Sequence, residues 1–196
     1  MRITSERFRE IASQALTELL GTLEPREITP YSCEVVSGSV AIAVSYDVSR
    51  SRELTLSLRQ LGQVDPPFEI ADVLRVTPCP AEQYERFTLM QTGEPDVLGK
   101  LLGAACDSLM RYGGEFLAGS PVAFERARSD RSRRAAVYTE SVNDAPILHA
   151  ADEAWHCGDV TAVVKCLRPL EARLGDRDKR RLAYALRSLE GDSEPS

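Results

Sequence analysis

The sequence predicts an α+β protein, in which an N-terminal helix precedes a small antiparallel sheet and a helical C-terminal half. Three observations predict it. Apolar residues recur at three- and four-residue steps up to about residue 24, alternate over residues 40–46 and again over 53–59, and return to the helical step from Pro95. With 196 residues, 43% of them hydrophobic and 28% charged, the chain can bury a sizeable core and reads as globular rather than disordered. The expected organisation is an α+β part over residues 1–93 and a helical part over 94–190 packed on it as one domain, followed by a frayed polar tail over 191–196.

In the first helix, Phe8, Ile11, Ala12, Ala15, Leu19 and Leu23 form one apolar stripe, with Arg7, Arg9, Glu10 and Glu18 between them. Ser5 is the expected cap and Pro25 the expected stop. The stretch SVAIAVSYDV then sets Val40, Ile42, Val44 and Tyr46 on one side and small residues on the other, and ELTLSLR alternates Leu54, Leu56 and Leu58 with polar neighbours. These are expected antiparallel neighbours joined by DVSRSR, with YSCEVVS as a third strand before a turn at Ser37-Gly38. One face of such a sheet is wet.

Residues 63–93 fit neither period cleanly. After Pro66-Pro67, the residues Phe68, Ile70, Val73, Leu74 and Val76 suit a strand or a short helix, and EQYERFTLM reads as one more strand. From Pro95 a helical stripe runs through Val97, Leu98, Leu101, Leu102, Ala105, Leu109 and Tyr112 to a stop at Gly113-Gly114. Ser120-Pro121 is the cap and first residue of a helix reaching the 130s, TESVNDAP reads as a polar connector, and the remainder is helical again.

A net charge of -6 argues against overall attraction to nucleic acid or an anionic membrane. The first 20 residues hold no uninterrupted apolar run, and about 18 apolar residues in a row occur nowhere, so neither an export signal nor a membrane-spanning helix is expected and the expected location is the cytoplasm. Five cysteines, Cys33, Cys79, Cys106, Cys157 and Cys166, are odd in number and contain no CxxC, the pattern of reduced and mostly buried thiols.

The stretch EAWHCGDVTAVVKCLRPL holds the single tryptophan, His156 and two of the cysteines. His149 and His156 are seven residues apart, whereas helical zinc ligands usually stand four apart, so no metal is expected. A helical hairpin accounts for more of these residues: Ala151, Ala154 and Trp155 pack on one helix, GDV breaks it, and Val163, Val164, Leu167 and Leu170 continue on the next, with Cys157 and Cys166 as small half-buried residues. No GxSxG, GxxxxGK[ST] or GxGxxG motif occurs, and no catalytic residue or cofactor is assigned. A Cys–His pair has no local mark in the sequence. The run FERARSDRSRR carries Arg126, Arg128, Arg131, Arg133 and Arg134, which suit a solvated helix face, a carboxylate-bearing protein partner or the phosphates of a nucleic acid.

The string ADEAWHCGDVTAVVKCLRPLEARLG resembles one tetratricopeptide-type helix pair: a small residue, an aromatic, a Gly-Asp turn and a second helix rich in small residues. A single such pair cannot form a free-standing solenoid. The segment LLGAACDSLMRYGGEFLAGSPVAFERARSDR, through Leu109, Tyr112, Gly113, Leu117, Gly119, Phe124 and Arg128, resembles a helix, Tyr-Gly turn and helix of uncharacterised small bacterial proteins placed with the immunity proteins of toxin systems. Ser120 stands where that group usually has an acidic residue. Together with the Ala-rich unit AADEAWHCGDV...VVKCLRPLEARL...RRLAYA that follows, the resemblance spans roughly the C-terminal half and implies an acidic cytoplasmic binder that neutralises a toxin by contact. The expected function is therefore that of a non-enzymatic protein-binding protein, its partner a basic toxin and its contact residues the five arginines. The alternative is a nucleic-acid-associated or regulatory protein using the same run.

Overall fold

A computed structural model describes residues 3–21, 25–49 and 51–191, which fall into two compact units, residues 1–131 and 132–196. The first opens with α1 (Ser5–Leu20), capped one residue earlier than expected: the hydroxyl of Thr4 accepts from the Arg7 amide at 3.3 Å. The helix ends at Gly21, whose φ of 78° is open to glycine and whose amide donates to the Thr17 carbonyl; Leu23, expected on the stripe, lies outside the described residues.

The strands β1 (Arg26–Thr29), β2 (Ser32–Ser37), β3 (Val40–Tyr46) and β4 (Glu53–Gln60) form an antiparallel meander. Two short strands, β5 (Phe68–Glu69) and β6 (Met90–Gln91), share the far edge of β4 at its two ends. Register turns the alternating pattern into cross-strand rows. Val35, Ile42, Leu58 and Phe68 stand opposite one another in sequence across four strands, and Cys33, Val44 and Leu56 form the next row. All seven are buried. On the other face Arg59 of β4 reaches across β3 to Glu34 of β2, Nη2 to Oε2 2.9 Å, and β3 presents Ala41 and Ala43 between them.

Residues 63–93 hold both structures that the sequence left open: β5 leads directly into α2 (Ile70–Arg75). The strand expected in EQYERFTLM is instead α3 (Ala81–Glu85), and only Met90 and Gln91 pair with β4. Pro80 opens that helix, and the amides of Gln83 and Tyr84 both donate to its carbonyl, so the local start signal prevails over the aromatic content.

The helix α4 (Pro95–Tyr112) follows its expected bounds and is followed by the single turn α5 (Gly114–Leu117). The buried residues of α1 and α4, among them Phe8, Leu16, Leu98, Leu102 and Leu109, join the apolar sheet face in one core that also takes in Phe116, Ala123, Phe124 and Ala127. A boundary after residue 93 would cut through this core. The compact units divide after residue 131 because α4 and the next helix's first turns bury their stripes in the sheet core.

That next helix, α6 (Pro121–His156), corrects a second expectation: TESVNDAP is helix, not connector. Thr, Ser, Asn and Asp compete with the backbone for hydrogen bonds, which makes such a stretch read as a loop. Here the hydroxyls turn back onto the helix, Thr139 Oγ1 donating to the Ala135 carbonyl at 2.8 Å and Ser141 Oγ to that of Tyr138 at 2.7 Å. Asp144 and Glu140 are held by Arg173 at 3.2 and 3.7 Å.

The second unit continues with α7 (Val160–Leu167), a 3-10 segment (Arg168–Arg173) and α8 (Asp176–Gly191). Its own core comprises Ala151, Val163, Leu167, Leu170, Leu174, Leu182 and Ala185, with Leu148, Ala154, Trp155 and Leu186 packed against it. The expected helical hairpin is present. Cys166 is half-buried as expected, whereas Cys157, on the turn, is exposed. The tail expected to fray falls, from residue 192 on, outside the described residues.

Candidate functional site

The arginine run is built into the start of α6, and three of its members are committed within the first unit. Arg126 pairs with Glu115 of α5. Arg128 holds Asp65 at 3.0 Å and Glu125 at 2.8 Å. Arg131 is the most constrained: its guanidinium donates to the carbonyls of Pro66 and Pro67 at 3.1 and 2.7 Å, pairs with Asp72 at 3.1 Å and lies 4.0 Å over the ring of Phe68. Phe68 in turn meets Phe124, which stands edge-on to Phe116 at 5.1 Å. A planar fork with five donors suits this role, since the loop's prolines supply carbonyls but no amides to pair them. Arg128 and Arg131 thus fasten the Pro-Pro loop to α6. Arg133 and Arg134 fall in the second unit, and neither is without a partner.

Beyond the run, α6 is bare. Residues 135–143 are all exposed, and Val137, Tyr138 and Val142 are 61%, 71% and 51% exposed. Ala135, Tyr138, Val142 and Ala145 follow a 3-4-3 spacing, which gathers them on one face. Leu148, Ala151, Ala154 and Trp155, which α6 contributes to the second unit's core, lie on a different side of the helix.

A second feature lies where α6 gives way to α7. Gly158, at φ 73°, closes α6 with paired bonds: its own amide donates to Trp155 and that of Asp159 to Ala154. Asp159 then caps α7, its Oδ1 accepting from Ala162 at 2.9 Å. This tight reversal opens a groove of about 510 Å³ lined by Trp155, Gly158, Val160, Val163, Arg180, Arg181 and Tyr184. The rings of Trp155 and Tyr184 are 5.5 Å apart at 75°, forming an L-shaped wall. Arg181 lies 5.3 Å from the Trp155 ring and is neutralised by Asp152 at 2.6 Å and Asp178 at 3.4 Å. Hydrogen bonding to Arg181, reinforced by the charges of Arg177, Arg181 and His156, holds the Asp152 carboxyl below the usual carboxylate range. Arg180 differs: Nε donates to the Asp176 carbonyl at 3.2 Å, and no carboxylate among the described residues meets its guanidinium.

The histidines share α6 but not a ligand set, His156 Nδ1 lying 2.7 Å from the Asp152 carbonyl and His149 beside Glu153 at 3.7 Å. Among the described residues no group of three or more His, Cys, Asp or Glu side chains is placed to hold a metal ion. Burial raises the Cys79 thiol, and burial with Asp107 and Glu18 nearby pushes that of Cys106 up to about 12, so both stay protonated and weakly nucleophilic near neutrality.

Sequence reasoning singled out the arginines, of which Arg128 and Arg131 turn out to fasten a loop, and took Trp155 as packing alone. The groove went unseen because its wall joins residues 155 and 184. The signal present was the spacing of Arg180, Arg181 and Tyr184, which shares one edge of a helix. The fold defines an α+β protein with a helical second unit. No family model, curated protein or solved structure matches the chain, and among the described residues no helix is long and apolar enough to cross a membrane.

Proposed function

We propose that the protein acts in the cytoplasm by binding another protein, and that the bare stretch of α6 is the surface it uses. The observation that carries this reading is the exposed stripe of Tyr138 and Val142, flanked by Ala135 and Ala145, on a segment whose every residue from 135 to 143 meets solvent. Large apolar side chains exposed together on a helix mark contact surfaces, and a 3-4-3 spacing suits an apolar groove or a second helix. The resemblance to immunity proteins makes the partner a toxin blocked by contact. Charge favours a basic one: the first unit carries 14 Lys and Arg against 19 Asp and Glu, a net of -5, and the second 10 against 11, a net of -1. The arginine run supports the nucleic-acid alternative less well, since Arg126, Arg128 and Arg131 already face carboxylates or carbonyls.

The test is purification of the tagged chain from its own cells, beside the variant Tyr138→Asp/Val142→Asp. Both positions are exposed, so neither substitution opens a cavity in a core, and circular dichroism of the variant should match the unaltered chain. The expected result is one stoichiometric basic partner whose recovery falls at least about tenfold with the variant, the effect of some 1.4 kcal/mol of lost contact. Equal recovery with both chains, or no stoichiometric partner with either, overturns the reading. A partner that arrests growth unless the unaltered chain is co-expressed would establish the neutralising role.

A further inference from the structure

The groove beside Gly158 has the construction of a small-molecule site, independent of the α6 surface. Its floor is apolar, from Val160 and Val163, and its wall is aromatic, from Trp155 and Tyr184. Its volume of about 510 Å³ is of small-ligand size, such sites spanning roughly 300–1,000 Å³. The two cations that line it are not equivalent. Arg181, 12% exposed along its side chain, is neutralised by Asp152 and Asp178, whereas Arg180 spends one N–H on a backbone carbonyl and keeps its terminal N–H groups for another acceptor.

We propose that this groove binds a small planar aromatic monocarboxylate, its ring against Trp155 and Tyr184 over the two valines and its carboxylate on the guanidinium of Arg180. The guanidinium fork matches a carboxylate with two parallel hydrogen bonds. An aromatic ligand fits an aromatic wall because offset and edge-on ring arrangements are both favourable and the two walls stand near a right angle. The preference for a single negative charge follows from the same inventory: one cation is unneutralised, and the carboxylates of Asp152 and Asp178 repel a second anionic group. At Gly158 an added Cβ would meet nothing within 4 Å, so the open space continues to the backbone on that side.

Trp155 is the single tryptophan of the chain, so indole emission reports on this groove alone. The experiment titrates the full chain with 4-nitrobenzoate, a planar carboxylate whose nitro group quenches indole, and with 4-nitrobenzyl alcohol, which shares the ring and lacks the charge. The expected result is saturable quenching by the carboxylate, with half-saturation at least about tenfold lower than for the alcohol. Arg180→Met raises the carboxylate's half-saturation about tenfold and leaves the alcohol's unchanged, whereas Arg187→Met, a cation of the same helix that does not line the groove, changes neither. Quenching that rises linearly and equally for the two compounds overturns the proposal. A carboxylate preference that survives Arg180→Met, or that Arg187→Met reduces as much, overturns it as well. Because no protein partner enters this titration, its failure is separate from failure of the α6 surface.

Discussion

The two units close a helix with the same device and bury very different cores. Gly119 ends α5 as Gly158 ends α6: each has φ of 73°, each is followed by a polar residue whose amide reaches back five residues, and that residue caps the next helix. In the first unit the device is pressed against the sheet. A Cβ on Gly119 would stand 2.1 Å from the Ser39 hydroxyl and 3.3 Å from a methyl of Val40, whereas one on Gly158 would meet open space. Among the described residues, the first unit's core gathers 32 buried side chains from the sheet and its helices, and the second's gathers seven without a sheet. What differs is not local geometry but how much tertiary structure surrounds it, and that decides how much change each turn tolerates.

The sharpest way to break this comparison is to remove one core side chain from each unit. Phe124→Ala should destabilise the first unit by about 3–5 kcal/mol and Leu167→Ala the second by about 2–5 kcal/mol. With so few buried residues, the second unit should not survive its loss: Trp155 emission should shift to the red without denaturant, while amides of the sheet retain their exchange protection. Simultaneous loss of sheet protection in Leu167→Ala would mean the two cores unfold as one.

Replacing each glycine sharpens the comparison at a smaller scale. Gly158→Ala should cost about 1–2 kcal/mol, the strain of a left-handed residue with a Cβ. Gly119→Ala should cost that plus about 1–3 kcal/mol of overpacking against β3's turn. Denaturation midpoints measure both, and adding Ser39→Gly should recover the packing part for Gly119→Ala alone. Equal costs at the two sites would remove the tertiary explanation.

The smallest effect concerns acid. Asp152 has a depressed folded value, so its contribution to the second unit is present above the unfolded carboxylate value of roughly 4 and is lost as pH falls through the folded one. Urea midpoints followed by Trp155 emission should fall between pH 5 and pH 3, and Asp152→Asn should flatten that part of the dependence. An unchanged slope in the variant would assign the acid response to other carboxylates.

Periodicity alone was enough to read β2, β3, β4 and α4, because their alternating or three-four patterns each point one apolar face at one core. Polar side chains misled at residues 139–146: Thr139 and Ser141 bond to their own helix and Asp144 to Arg173, 29 residues away. The arginine run illustrates the same limit. Its charge was plain, but the partners that occupy Arg128 and Arg131, Asp65, Asp72 and the proline carbonyls, lie about 60 residues earlier.

By itself, then, the sequence determined the class of fold, the strand and helix patterns and the Gly-Asp reversal, since these depend on neighbours within a few residues. Only the tertiary structure decided where the units divide, which arginines are spent on a loop and which ones line a groove. Those outcomes depend on which distant carboxylate, carbonyl or ring comes within a few ångströms, and that distance is fixed by packing rather than by spacing along the chain.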